Sequence, residues 1–88
     1  MGDVKFLADY HLQKLGRWLR FLGQDVEILE KKLIPSDIIS KMRDAKYIFL
    51  TRDTFWNERN EIKPVFIKSD HLEEQLKQLA EQNLRNRQ

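Results

Sequence analysis

Tyr47-Ile48-Phe49-Leu50-Thr51, followed at once by Arg52-Asp53, is the stretch that decides the fold. It is a continuous apolar and aromatic run with no glycine or proline. That pattern suits a strand covered on both faces, as in a parallel sheet, whose strands are joined by crossover helices. The flanks supply the other elements. Upstream, Pro35-Ser36-Asp37 opens a helix, with Ser36 as N-cap and Ile38, Ile39 and Met42 as its buried stripe. Before it, Asp25–Leu29 alternates polar residues with Val26 and Ile28 and reads as a strand. Earlier still, Leu12, Leu15, Trp18, Leu19 and Leu22 recur at helical spacing, Gly23 stops that helix, and Val4–Ala8 precedes it as a further strand.

Downstream, Thr54–Asn60 reads as a helical turn plus loop, Val65-Phe66-Ile67 as a fourth strand, and Leu72, Leu76, Leu79, Ala80 and Leu84 as one face of a terminal helix. Strands alternating with helices make βαβ units and an α/β fold. With right-handed crossovers, the apolar third strand sits inside the sheet beside the first, in the order 2-1-3-4, and helices cover both faces. Residues 1–88 are expected to form one domain, with 85–88 as a frayed tail.

Composition narrows the function classes. The 88 residues include no cysteine, which excludes a disulfide scaffold, a thiol nucleophile and a cysteine-built zinc site, and fits a reducing cytoplasm. No run approaches the ~20 apolar residues of a membrane span, and the opening Met-Gly-Asp-Val-Lys is unlike a signal peptide. Sixteen Lys and Arg against 14 Asp and Glu leave a net charge of +2, so the placement of charge matters more than its sum. A glycine-rich phosphate loop and a nucleophile elbow are both lacking, which disfavours P-loop, Rossmann and hydrolase chemistry.

In such sheets ligands bind past the carboxyl ends of the strands, at the switch point, here between the first and third strands. Asp9 ends the first strand, Asp53 the third; Asp70 follows the fourth, and Asp37 begins the helix after the second. Carboxylates brought together from adjacent strands repel and call for a proton or a cation. Oxygen ligands without sulfur favour Mg²⁺ or Mn²⁺, whose coordination shell is typically completed by water and substrate phosphate. Each acid also has a plain structural use as a helix cap: Asp70-His-Leu-Glu73 has the spacing of a capping-box variant, and Asp37 suits a helix dipole.

Lys14, Arg17 and Arg20 form a basic stripe on the first helix, able to track a phosphate backbone, and Arg52 stands beside Asp53. Trp18 is read as core, whereas Phe21 falls nearer the polar side and is available to stack on a base. Phe55 and Trp56 are assigned to the wall of the site or to a partner surface. His11 and His71, each next to an acid, are candidates for metal binding or proton transfer.

Phe6-Leu-Ala-Asp9, Lys14-Leu-Gly-Arg-Trp-Leu-Arg20, Leu22-Gly-Gln-Asp25, Ser36-Asp37, Ile48-Phe-Leu-Thr-Arg-Asp53 and Ser69-Asp70-His-Leu-Glu-Glu-Gln-Leu76 occur in this order along nearly the whole chain. The set resembles the Mut-seven C-terminal RNase domain family, which belongs with the PIN-like nucleases. The resemblance implies a compact PIN-like three-layer α/β/α domain and a ribonuclease dependent on Mg²⁺ or Mn²⁺. It implies that Asp9 and Asp53 hold the metal, with Asp37 and Asp70 matching further acidic positions. Arg17 and Arg20 match basic positions of its first helix. Gln13 departs from the family's usual glycine, and these 88 residues, with no cysteine, hold no counterpart of the zinc ribbon that often follows the domain.

The expectation is therefore RNA cleavage at Asp9, Asp53, Asp37 and Asp70, with Lys14, Arg17, Arg20 and Arg52 on the RNA backbone. The rival readings are a non-catalytic module that binds RNA through the same edge, and an assembly or toxin-like module engaging a protein partner or a second copy of itself.

Overall fold

The apolar run at 47–51 forms one of the two inner strands of a four-stranded sheet. The computed structural model describes residues 5–44, 47–58, 62 and 64–86. The strands are β1 (Lys5–Ala8), β2 (Val26–Ile28), β3 (Tyr47–Thr51) and β4 (Val65–Phe66), and the helices are α1 (Gln13–Phe21), α2 (Pro35–Asp44) and α3 (Leu72–Asn86). Short 3₁₀ turns at Tyr10–Leu12 and Thr54–Glu58 follow β1 and β3. Every pairing is parallel, and the order is β2-β1-β3-β4, as the sequence predicts.

The chain winds outward from β1 to β2 and then back across β1 to β3, and with right-handed crossovers this reversal sends α1 and α2 to opposite faces. On one face Leu15 and Leu19 of α1 and Leu79 of α3 pack with Phe6, Ala8, Leu50 and Ile67. On the other, Ile38 of α2 and Trp56 pack with Leu7, Leu29 and Phe49. Phe49, Leu7, Leu15, Leu50 and Ile67 are the largest fully buried apolar side chains. Each contributes about 1.5–3 kcal/mol of burial.

The helix ends explain where the chain turns. Past α1, the Gln24 N–H bonds the Leu19 carbonyl and the Gly23 N–H the Arg20 carbonyl, both at 2.9 Å. This is a Schellman stop, and it needs the positive φ of 92° that Gly23 supplies. At α2 the boundary differs from expectation. Pro35 is itself the first helical residue and the Ile34 carbonyl accepts from the Asp37 N–H at 3.0 Å, so Ser36 lies inside the first turn and is not the N-cap. The fixed φ of proline favours this first position.

Trp18 also departs from expectation: it is 42% exposed, beside an even more open Phe21. The α1 interface is filled by Leu15, Gly16 and Leu19, which leaves Trp18 at the margin. Of the expected tail, residues 85 and 86 continue α3, and 87–88 lie outside the described residues, as do Val4 and Asn60.

Candidate active site

The register of the sheet places the first acid. Ala8 pairs with Leu50, so the next residues, Asp9 and Thr51, stand side by side where the two strands end. The Asp9 N–H continues the ladder to the Leu50 carbonyl at 3.0 Å. Its side chain is almost fully buried. One carboxylate oxygen, Oδ1, accepts the Tyr10 N–H at 2.8 Å and caps the first 3₁₀ turn. The other, Oδ2, accepts the Thr51 hydroxyl at 2.6 Å.

Thr51 connects this acid to the second. Its Oγ1 accepts the Asp53 N–H at 3.0 Å while donating to Asp9, so a single buried hydroxyl fixes both chain ends. Asp53 in turn uses Oδ1 to accept the Phe55 N–H at 3.0 Å and cap the second 3₁₀ turn. Among the described residues its Oδ2 makes no hydrogen bond, and neither Asp9 nor Asp53 is in an ion pair. Both acids are thus helix caps, as the plain structural reading holds, yet both also line a cleft of about 390 Å³.

A second basin of about 500 Å³ adjoins that cleft, sharing Asp53, His11 and Lys32 with it. Arg52, Asp70 and Gln75 line the second basin. The structure therefore brings Asp9, Asp53, Asp70 and Arg52 to one edge. Asp37 lines neither basin; it is exposed on the first turn of α2, whose Pro35 and Ile38 do reach the cleft.

Asp70 is exposed, and among the described residues its one ion-pair contact is with His71 at 3.5 Å. The capping box expected at Asp70 does not form: Ser69 Oγ accepts the His71 N–H at 3.0 Å instead, and α3 begins one residue later. Its carboxylate is left to face solvent.

The basic residues divide by position. Arg52 is held by an Nη1 bond of 3.0 Å to the Ile67 carbonyl, which fixes its guanidinium at the rim. Lys14 and Arg17 are exposed on α1 and lack side-chain bonds among the described residues. Arg20 is exposed too, but its Nε donates to the Val26 carbonyl at 3.0 Å, at the start of β2 and so at the far end of the sheet. His11 reaches the cleft, whereas His71 lines neither basin.

Sequence reasoning passed over Thr51 and Lys32 as site residues. The signal for Thr51 was a lone hydroxyl closing an apolar strand two residues before an acid. For Lys32 it was a place in the loop after β2, at the same sheet edge.

Among the described residues no group of three His, Cys, Asp or Glu side chains could hold a metal ion. A hard divalent cation of the Mg²⁺ type is often held by one or two carboxylates and otherwise by water and phosphate, and Asp9 and Asp53 are the residues of this cleft that could hold one.

The family model described as Mut7-C RNAse domain matches residues 4–88. The chain belongs to this family. Mut7-C membership implies ribonuclease activity and RNA as substrate, and the match covers both acids and every strand. No curated protein and no solved structure matches the chain significantly.

Proposed function

We propose that this Mut7-C domain hydrolyses RNA phosphodiester bonds with Mg²⁺ or Mn²⁺ held by Asp9 and Asp53. The supporting observation is the buried Asp9 carboxylate, oriented by neutral donors only and sharing a cleft with Asp53. Two carboxylates at one edge, neither of them in an ion pair among the described residues, repel, and a divalent ion that binds both relieves the repulsion. A bound ion of this kind supplies Lewis-acid polarisation of a phosphate and an acidified water.

The chain's own groups do the rest. Thr51 holds Asp9 in place, and the two 3₁₀ turns fix the direction of each carboxylate. Asp70 acts from the adjoining basin through water, while Asp37 adds negative charge at longer range. Arg52 and Lys32 take phosphate oxygens at the rim, and Lys14 and Arg17 extend the cationic track along α1. Arg20 joins the track with the guanidinium N–H groups that Val26 leaves free.

The test is incubation of end-labelled RNA with Mn²⁺ or Mg²⁺. Cleavage should stop with EDTA and fall about 10²-fold or more in Asp53→Asn, the scale on which charge-stabilising groups act, while RNA binding persists. Full cleavage by a folded Asp53→Asn protein, or in EDTA, would refute the assignment. A second reading, a non-catalytic RNA-binding module, is favoured by the lack of a third converging ligand among the described residues. It predicts RNA binding with a steep salt dependence and no turnover.

A further inference from the structure

The two confluent basins differ in chemistry. The one that contains Asp9 is lined by Tyr10, Leu33, Pro35, Ile38, Phe55 and Trp56, a largely apolar wall of which half is aromatic. The one beyond Asp53 is lined by Arg52, Thr54, Asp70 and Gln75, with Lys32 and His11 at the junction. A chain of water-filled polar pockets would suffice to bind a phosphate backbone alone. The apolar wall is surplus to that task.

Its walls are packed against one another and against the core. Phe55 meets Trp56 edge-on, with ring centroids 5.2 Å apart, and Trp56 meets Phe49 of β3 in the same manner at 5.4 Å. Trp56 is only 3% exposed, so this side of the cleft is anchored in the core. Tyr10, also in the lining, packs on the same core cluster and lies 4.2 Å, centroid to centroid, from the His11 ring. The cleft of about 390 Å³ lies near the lower end of the ~300–1,000 Å³ range of ligand sites, room for one nucleoside and not for a stack of several.

We infer that the apolar end of the cleft is a nucleobase pocket that accepts one unpaired base of the RNA, adjacent to the phosphodiester that Asp9 and Asp53 address. The inference rests on the proposed function for the position of that phosphodiester, but not for the pocket. A base inserted among aromatic side chains must be unstacked and unpaired, so the site takes single-stranded or looped RNA and excludes the interior of a duplex. Apolar walls and ring faces read no hydrogen-bond pattern, so the pocket discriminates base from no base more than one base from another.

The experiment uses a Trp18→Phe protein, in which Trp56 is the only tryptophan of the chain's two, titrated without metal. Adenosine 5′-monophosphate should perturb Trp56 fluorescence and bind roughly 5-fold to 150-fold tighter than ribose 5-phosphate, the range that base–aromatic stacking supplies. Phe55→Ala, which removes part of the wall, and Leu33→Phe, which fills the cleft, should each bring the two ligands towards equal affinity. Equal binding of the two ligands to the starting protein overturns the pocket, and so does unchanged discrimination in both variants. RNA cleavage assayed in parallel separates the two proposals. Base discrimination without cleavage leaves the pocket standing and the nuclease mechanism fallen. Cleavage of single-stranded and duplex RNA at equal rates, without base discrimination, does the reverse.

Discussion

Thr51 donates its hydroxyl to Asp9 Oδ2 at 2.6 Å, entirely out of contact with solvent. Thr51 Oγ1 also accepts the Asp53 N–H, so one side chain satisfies a buried carboxylate and orients the backbone of the second acid. Thr51→Val preserves shape and deletes both bonds. Leaving buried partners unsatisfied costs about 1–3 kcal/mol, seen as a lower urea midpoint, and cleavage should fall with it. Thr51→Ser, which keeps the hydroxyl, should recover most of both losses. A Thr51→Val protein as stable and as active as the parent would show that the hydroxyl holds neither acid.

Lys32 lines both basins and makes no ion pair among the described residues. Its ammonium is thus available to phosphate, and its removal should weaken RNA binding to a similar degree for unrelated sequences. In Lys32→Ala the plot of log affinity against log salt should become shallower by about one unit, as loss of one phosphate contact requires. Thermal stability should change little, because an exposed lysine away from caps and core contributes little to folding. Arg52→Ala should differ. Its Nη1 bond to the Ile67 carbonyl also ties β4 to the site, so stability and affinity should fall together.

A second set of charges lies away from the acids. Glu27 of β2 accepts the Tyr47 hydroxyl and pairs with Lys41 of α2 at 2.8 Å. Lys41, then Tyr47, holds the Glu27 carboxyl below its usual value, and the hydrogen bond to Glu27, with burial, pushes the Tyr47 phenol up to about 12. The Glu27 contribution is therefore present above the ordinary carboxyl value and is lost as pH falls through the depressed one. The Tyr47 contribution is complete below 10.0 and is lost as pH rises towards 12. Tyr47→Phe should cost about 1 kcal/mol near neutral pH, given the partial exposure of the pair. That corresponds to a Tm lower by about 4–8 °C in a domain of this size. The gap between parent and variant should close between pH 10 and 12, and a gap constant over that range would assign the cost to something other than this hydrogen bond.

These relationships show what could be read from sequence and what could not. The strand at 47–51 announced itself because a parallel central strand must be apolar on both faces. Once it was placed inside the sheet beside β1, the order β2-β1-β3-β4 followed and set Asp9 and Asp53 on adjacent strand ends. Side-chain roles were harder. Trp18 shares the helical period of Leu15 and Leu19, and periodicity cannot tell that Gly16 already fills the closest approach to the sheet. Ser36 and Asp70 have cap-forming chemistry, but Pro35 starts α2 earlier and Ser69 turns the chain into α3, so neither is used. Thr51 and Lys32 gain their roles from neighbours 42 and more than 20 positions away, Asp9 and Asp53, and short-range patterns do not carry such pairings.

Gly16 gives the sharpest test of how α1 is seated. A Cβ at this position would stand 2.7 Å from Ile28 Cγ1, 3.0 Å from Ile28 Cδ1 and 3.3 Å from the Ala8 Cβ. The Lys14-Leu-Gly-Arg17 segment thus lets the helix lie directly on β1 and β2, next to the strand end that carries Asp9. Alanine is favoured over glycine inside a helix by about 1 kcal/mol, but overpacking typically costs about 1–3 kcal/mol. The Ala8 Cβ is fixed by its strand, and Ile28 must move as a whole side chain, so the clash should outweigh the propensity gain. Gly16→Ala should destabilise by about 1 kcal/mol, measured by urea unfolding. In an Ile28→Ala background the two closest contacts vanish, and the same substitution should become neutral or stabilising. Equal effects in both backgrounds would mean that α1 is not seated on Ile28.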